Sequence, residues 1–273
     1  MTETASHGTV TLTIDDRLAH VQLVRPEKLN SLTREVFEDL VEIGQRLRGR
    51  TDVACVVLTG EGRAFCAGLD LGEFGKMKTG EKNPAVSLTD RVGAARALGQ
   101  QAVHIWSLLE VPVIAGVHGV AFGGGLQIAM GADVRVVAPD TKMSMMEVNW
   151  GLVPDMTGTQ VLPRLVGPSQ AKLLTFTGEV FSGARAGEIG LADEVADSAV
   201  ERALEIGRDI ADKSRSALVW AKKLIDMAGT VDLAEGLDAE QDALAELMGG
   251  PEQVAAVDRR MAQLAARKKE SVS

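Results

Sequence analysis

The sequence predicts an α/β fold that continues into a C-terminal helical region. Early in the chain, apolar patterns typical of strands alternate with helix patterns, whereas residues 198–273 carry only long helical patterns. The chain has 273 residues, enough for one large domain with a helical appendage. We therefore predict a mixed core over residues 1–197 and a separate helical region over residues 198–273.

The first elements predict the order β-β-α-β. Residues 9–14 alternate like a half-buried strand, and residues 20–25 can pair with them as a hairpin. A helix over about 34–48 carries its apolar side chains on one face. Residues 53–60 form a continuous apolar run, which is typical of a strand covered on both sides.

The rest of the core alternates in the same way. Residues 61–90 are predicted to be a long loop, and a connection of that size is usually functional. The other predicted elements are a helix at about 90–109, strands at 111–119 and 133–140, a loop-like segment at 144–158, and helices from about 163 onward.

Composition excludes several classes of protein. The formal net charge is −9, which disfavours a general nucleic-acid binder. Two cysteines cannot form a disulfide framework or a four-thiolate zinc site, and we expect no metal. The N-terminus lacks a signal-peptide pattern and no apolar run is long enough to span a membrane, so we expect a cytoplasmic protein without a membrane partner.

Two glycine-bearing segments follow predicted strands. GRAFCAGLDL (62–71) has small residues around Gly68, which let the backbone approach a ligand. GVAFGGGLQIA (119–129) leads into a helix and exposes backbone N–H groups at its positive end. Neither segment has the glycine spacing of a phosphate-binding loop. Close helix–strand packing would explain a glycine run equally well.

A third segment, SMMEVNWGLVPDMTG (144–158), places Glu147 and Asp155 among apolar residues. Desolvation raises the pKa of a carboxyl group, which suits it to proton transfer. Taken alone, each acid is more commonly a surface residue or a helix cap. Together with two N–H-presenting turns, however, the acids provide what the stabilisation of an enolate requires.

These motifs, in this order, resemble the crotonase (enoyl-CoA hydratase/isomerase) family. The resemblance runs from RPEKLNSLT (25–33) through both glycine segments to TGEVFSGARAGEIGLADEV (177–195). It implies a crotonase-like spiral of ββα units with a C-terminal helical region that assembles trimers, often paired into hexamers. It also implies an acyl-CoA substrate and no cofactor, since coenzyme A is part of that substrate.

The resemblance also implies roles for individual residues. The N–H groups of Leu69 and Gly124 would form the oxyanion hole, and Glu147 would be the main acid/base. The remaining predicted substrate contacts are Arg25 and Lys28, to CoA phosphates, together with Ala67, Gly68, Gly123 and Trp150. A solvated loop would explain Arg25 and Lys28 as well, and core packing would explain Trp150.

Two departures from the hydratase pattern bear on the reaction. Gln127 stands where hydratases carry their first glutamate, and an amide cannot exchange a proton at neutral pH. Asp155 stands where hydratases usually carry glycine. An aspartate at this position is similar to the dienoyl-CoA isomerases, although those enzymes also carry an aspartate at the Gln127 position. The halobenzoyl-CoA dehalogenases likewise place an aspartate, their nucleophile, at the Asp155 position, but they lack Glu147, so dehalogenation ranks low.

The leading hypothesis is therefore a double-bond shift in an unsaturated acyl-CoA. Glu147 and Asp155 would shuttle protons at two carbons, and Gln127 would orient the substrate or a water. The first alternative is hydration of a 2-enoyl-CoA with Glu147 as the main acid/base. The second is a non-catalytic acyl-CoA-binding subunit.

Overall fold

The computed structural model describes residues 2–81 and 83–270. The strands are β1 (Thr2–Thr4), β2 (Val10–Asp15), β3 (Leu18–Leu23), β4 (Cys55–Gly60), β5 (Leu88–Val92), β6 (Ala95–Ala97), β7 (Val113–Val117), β8 (Val120–Phe122), β9 (Val134–Val137), β10 (Lys142–Ser144), β11 (Phe181–Ser182) and β12 (Glu194–Val195). The helices are α1 (Arg34–Leu47), α2 (Leu71–Lys78), α3 (Leu98–Ser107), α4 (Gly124–Met130), α5 (Gly158–Val166), α6 (Pro168–Thr177), α7 (Gly183–Glu188), α8 (Ala199–Ala211), α9 (Arg215–Met227), α10 (Leu233–Leu247) and α11 (Pro251–Glu270).

A seven-stranded sheet in the order β1-β2-β3-β4-β7-β9-β12 forms the centre of the molecule. The predicted hairpin is its antiparallel edge, with Leu12 opposite Val21. From β3 onward the neighbours run parallel. Every residue of β4 and β7 is buried, which explains why these strands have continuous apolar sequences rather than alternating ones.

A second, smaller sheet gives the fold its spiral form. It has the order β11-β10-β8, and residue Cys66 forms a parallel bridge to Ala121 of β8. The chain thus leaves the large sheet after β4, β7 and β9, adds a short extended segment to the small layer, and then enters a helical segment. Three successive turns repeat this path, so the predicted crotonase-like spiral of ββα units is confirmed.

Helices cover both faces of the large sheet. On one face, α1 and α3 pack together over a core that includes Phe37, Ile105 and Trp106. On the other, α8 lies across β4, β7 and β9. Its small residues allow this close approach, because a Cβ on Gly207 would lie 2.6 Å from Val57 Cγ2. Helix α8 therefore packs on the core although it follows residue 197; the division at 197/198 stays a prediction.

The last helices attach to the core through α9. The Arg215 guanidinium donates hydrogen bonds to the carbonyl oxygens of Val53 (2.8 Å) and Arg50 (3.1 Å). The Lys222 ammonium donates to Asp133 at 2.7 Å. Among the described residues, no helix is long and apolar enough to cross a membrane.

The structure differs from the sequence prediction in three segments. Residues 61–90 are not one loop, because they contain α2, a 3-10 turn at Pro84–Val86 and the start of β5. The helix expected from about residue 90 begins only at Leu98, since residues 88–97 form the β5–β6 hairpin. The loop-like segment 144–158 contains a 3-10 turn at Glu147–Trp150, and the following helix begins at Gly158 rather than near 163.

The close approach of α4 to the segment around Cys66 can be tested at Gly125. A Cβ on Gly125 would lie 2.3 Å from the carbonyl oxygen of Cys66. Because this oxygen belongs to the backbone, relieving the clash requires a backbone shift that costs free energy. We expect Gly125→Ala to lower the free energy of unfolding by about 1–3 kcal/mol, measured by urea denaturation. Gly75→Ala is the matched control, because nothing lies within 4 Å of that Cβ in α2. It should be neutral or stabilising, and an equal loss in both variants would contradict the packing argument.

Candidate active site

The small layer aligns three turns of the chain at one place. Cys66 lies opposite Ala121, and Ala121 lies opposite Met143, all in parallel register. Leu69 and Gly124 each follow their aligned residue by three positions, and Glu147 follows Met143 by four. The spiral therefore brings together backbone and side-chain groups that are far apart in the sequence.

The backbone N–H groups of Leu69 and Gly124 are available for a ligand. Within the described part of the chain, neither donates a hydrogen bond, although their neighbours are paired. Leu32 N–H donates to the oxygen of Gly68 at 2.8 Å, and Asp70 N–H donates to the oxygen of Leu32 at 2.9 Å. These bonds hold the backbone on either side of Leu69 while its own N–H stays unpaired.

Position 68 accepts only glycine, for two reasons. Its φ of +83° is unfavourable for other residues. A Cβ there would lie 2.5 Å from the oxygen of Phe122 and 3.8 Å from the nitrogen of Gly124. The two N–H-bearing turns are thus in direct contact, as two donors to one oxygen must be.

The carboxylate of Glu147 lies beside these turns. A Cβ on Gly123 would be 3.2 Å from Glu147 Oε1. Oε1 accepts a 2.6 Å hydrogen bond from the Gln127 side-chain amide, whereas the buried Oε2 has no partner among the described residues. Burial, above all, raises the pKa of Glu147 from 4.5 to about 6, and the Asp155 charge adds to the shift. A carboxyl group with this pKa and one unpaired oxygen is suited to exchanging protons near neutral pH.

Gln127 fixes the position of Glu147. Its side chain is 1% exposed, and its Oε1 accepts hydrogen bonds from the N–H groups of Met156 (3.0 Å) and Gly158 (2.9 Å). Two backbone donors at Oε1 leave the NH₂ group to face Glu147. Thr157, between those donors, has a φ of +74°, a conformation that costs a non-glycine residue about 1 kcal/mol or more. Gln127 thus holds both Glu147 and the strained turn that follows Asp155.

Asp155 supplies a second carboxyl group to the same cavity. Desolvation raises the pKa of Asp155 above its usual value. The cavity, of about 660 Å³, is also lined by Glu147, Gln127, Leu69 and Gly124. All the residues predicted as catalytic or as oxyanion donors therefore meet in one cavity.

Comparisons with known proteins identify the family to which the chain is similar. The sequence pattern of the family described as Enoyl-CoA hydratase/isomerase matches residues 13–254. The chain is 32% identical over 247 residues to the short-chain-enoyl-CoA hydratase of Clostridium acetobutylicum, covering 89% of this chain and 91% of that protein. It is 34% identical over 237 residues to the 1,2-epoxyphenylacetyl-CoA isomerase of Escherichia coli, covering 86% and 85%.

The chain belongs to the enoyl-CoA hydratase/isomerase family. The crystal structure of an enoyl-CoA hydratase from Bacillus anthracis superposes with a TM-score of 0.81 at 29% identity, covering 93% of this chain and 96% of that one. A protein of Thermobifida fusca solved in complex with acetoacetyl-CoA gives a TM-score of 0.74 at 30% identity, covering 88% and 94%. The chain is thus an enzyme acting on CoA thioesters rather than a non-catalytic subunit.

The structure places the predicted substrate contacts of this family enzyme unequally. Those that line the cavity are Lys28, Ala67, Gly68, Gly123 and Trp150. Arg25 is not among the residues that line the cavity, and its contact with CoA phosphates stays a prediction. The Arg25 guanidinium instead donates to the carbonyl oxygen of Ser31 at 2.5 Å and lies 3.8 Å from Asp70 Oδ2. It holds the loop that pairs with the turn around Leu69.

Sequence reasoning missed the wall formed by α2. Leu71, Phe74 and Met77 line the cavity although residues 61–90 were expected to be a loop. The Phe74 ring stacks on Trp150, with centroids 4.2 Å apart and planes 20° apart. The spacing of the three side chains, i, i+3 and i+6, is the helical signal that could have identified this wall.

The clamp by Gln127 predicts a shift in the pH dependence of the enzyme. The Gln127 hydrogen bond lowers the pKa of Glu147, so Gln127→Met should raise that pKa above about 6. A rate that needs the ionised Glu147 rises with pH through this pKa, so its midpoint should move to higher pH in the pH profile of kcat.

Gln101→Met is the matched control. Gln101 is also buried and donates to the carbonyl oxygen of Asp90 at 2.6 Å, but it does not line the cavity. Both variants should lose about 1–3 kcal/mol of stability through unpaired buried groups. Only the Gln127 variant should move the pH midpoint; an unmoved midpoint would assign Gln127 a purely structural role.

Proposed function

We propose that the enzyme moves a double bond within an unsaturated acyl-CoA thioester. The observation that carries the proposal is the pair of carboxyl groups, Glu147 and Asp155, that share one cavity with two free backbone N–H groups. Burial raises the pKa of both acids, which brings them closer to the range in which proton transfer is efficient.

In this mechanism the thioester oxygen accepts hydrogen bonds from the N–H groups of Leu69 and Gly124. The Glu147 carboxylate removes a proton from a carbon near the thioester, and the electron pair moves toward the oxygen as an enolate. Asp155 delivers a proton to a carbon further along the acyl chain. One proton leaves and one is added, so no redox partner is needed. Each oxyanion donor contributes on the order of 10²–10³ in rate.

Hydration of a 2-enoyl-CoA, with Glu147 as the main acid/base, is the second candidate. The Glu147 carboxylate favours it, because it lines the cavity and a carboxylate can accept a hydrogen bond from water. Gln127 is less suited to help. Both lone pairs of its Oε1 are directed to backbone N–H groups, and its amide cannot take a proton from water. Because only Glu147 of this pair can exchange a proton with water, we rank hydration below isomerisation.

The remaining contacts are assigned by chemistry. Lys28 is exposed at the lining of the cavity and supplies a positive charge for the anionic phosphates of coenzyme A. The proposed reaction needs no cofactor, because coenzyme A arrives with the substrate. The cytoplasm is the proposed setting, in agreement with the free thiols of Cys55 and Cys66.

The activity is tested with two substrates and three variants. We expect the enzyme to isomerise a 3,5-dienoyl-CoA, which is measured by the change in ultraviolet absorbance. Crotonyl-CoA should be hydrated far more slowly. Glu147→Gln and Asp155→Asn should each lower the isomerisation rate by about 10²–10⁴. Asp140→Asn, an exposed aspartate away from the cavity, should leave the rate unchanged. Hydration of crotonyl-CoA with no shift of the dienoyl substrate would refute the isomerase.

Stability measurements guard against misfolding as the cause of inactivity. The pKa of Glu147 is about 6 in the folded protein against an ordinary 4.5, so its ionisation destabilises the native state as pH rises between these values. Glu147→Gln removes that cost, which amounts to at most about 2 kcal/mol. The inactive variant should therefore be more stable than the wild type above pH 6 and closely similar at pH 4.

We also propose a homotrimer, or a hexamer made of two trimers. Apolar side chains of the last three helices, and of Met248 directly after α10, are exposed in the single chain: Ile225, Leu233, Leu237, Leu244, Met248, Val254, Val257, Met261 and Leu264. Such extended apolar surface is typical of a protein interface. Light scattering should give three or six times the chain mass, and Leu237→Asp combined with Leu244→Asp should reduce it. A wild-type monomer at micromolar concentration would contradict the assembly.

A further inference from the structure

The walls of the cavity that holds the two acids include several large apolar side chains. Phe37, Phe74, Met77, Val86, Trp150 and Met156 come from five separate parts of the chain and line the same space. With a volume of about 660 Å³, the cavity is in the range of ligand sites that enclose most of a large organic molecule. A short acyl group would leave much of this apolar surface in contact with water.

The wall formed by α2 and Trp150 presents apolar side chains that the rest of the chain leaves partly exposed. Helix α2 contributes no fully buried side chain to the protein core, yet Phe74 and Met77 line the cavity. Trp150 is 49% exposed and contacts Phe74 through its ring face. Contiguous exposed apolar surface in a concave site marks the position of an apolar binding partner.

The charges in the cavity restrict the ligand further. Among the described residues that line it, the charged ones are Lys28, Asp70, Glu147 and Asp155. Lys28 is exposed and acts electrostatically on Asp70, beside the Leu69 turn. No described cation lines the space between Trp150 and Met156, and Glu147 and Asp155 would repel an anion there. A carboxylate on the acyl tail would be desolvated without a partner.

We propose that the cavity selects a neutral acyl group with a large apolar tail, and that Phe74 and Trp150 are the residues that select it. This inference rests on the proposed acyl-CoA function and adds the class of acyl group. A linear alkyl tail and an aryl tail share this chemistry. Short acyl groups and acyl groups that end in a carboxylate are the classes it disfavours.

The inference is tested by calorimetry with acyl-CoA thioesters that have no double bond for the enzyme to move. The calorimeter then measures binding alone. Each buried methylene adds about fourfold in affinity, so octanoyl-CoA should bind at least about tenfold tighter than butanoyl-CoA. Suberyl-CoA, which has the same eight carbons but ends in a carboxylate, should bind at least about tenfold weaker than octanoyl-CoA. Phenylacetyl-CoA, compared with octanoyl-CoA, shows whether an aryl or a linear tail is preferred.

Two variants identify the selecting residues. Trp150→Ala and Phe74→Ala should each lower the affinity for octanoyl-CoA by about tenfold, while the affinity for butanoyl-CoA changes less than threefold. Trp220→Phe is the matched control, because Trp220 lies on α9 under the ammonium of Lys223 and not in the cavity. It should bind all four thioesters like the wild type.

The outcomes separate this inference from the function on which it rests. If no acyl-CoA binds, the acyl-CoA function itself fails. If all thioesters bind with the same affinity, or if suberyl-CoA binds as tightly as octanoyl-CoA, the selectivity fails and the function stands. If both ring variants keep the full octanoyl preference, Phe74 and Trp150 are not the selecting residues.

Discussion

The parallel register of the small sheet is the constraint on which the site depends. Because Cys66, Ala121 and Met143 lie side by side, the turns that follow them must also lie side by side. Two of these turns present backbone N–H groups and the third presents Glu147. Three repeats of the same spiral turn therefore suffice to place residues 69, 124 and 147 together.

Rigid backbone holds the proposed oxyanion donors, whereas a side-chain hydrogen bond positions Glu147. Gly68 and Gly125 permit contacts that no larger residue allows, so the distance between the two turns is set by backbone packing. Glu147 instead depends on the Gln127 amide. In the proposed mechanism, binding the negative charge and moving the proton thus rest on separate parts of the structure, which allows one to change without the other.

The sequence predicted more of the chemistry than of its surroundings. The hairpin, the buried strands and the glycine turns have local signatures, and Glu147 and Asp155 were expected in the site because of them. Helix α2 was missed because Gly72 and Gly75 weaken its helical pattern. The clamp by Gln127 could not be predicted, because its partners are backbone N–H groups whose positions depend on the folded turn. The contacts of Arg25 with the Ser31 carbonyl oxygen and Asp70 could not be predicted either, because a cation in a loop has the same local sequence whether it binds a ligand or a carbonyl oxygen.

The attachment of the 155–158 turn at a single buried amide has a consequence for motion. The N–H groups of Met156 and Gly158 can exchange with deuterium only when they separate from Gln127. That separation releases the turn that carries Asp155, whereas the Gln127 amide can stay bonded to Glu147. The exchange rates of these two amides therefore report how often the resting enzyme releases this turn, and they do so without any substrate being present.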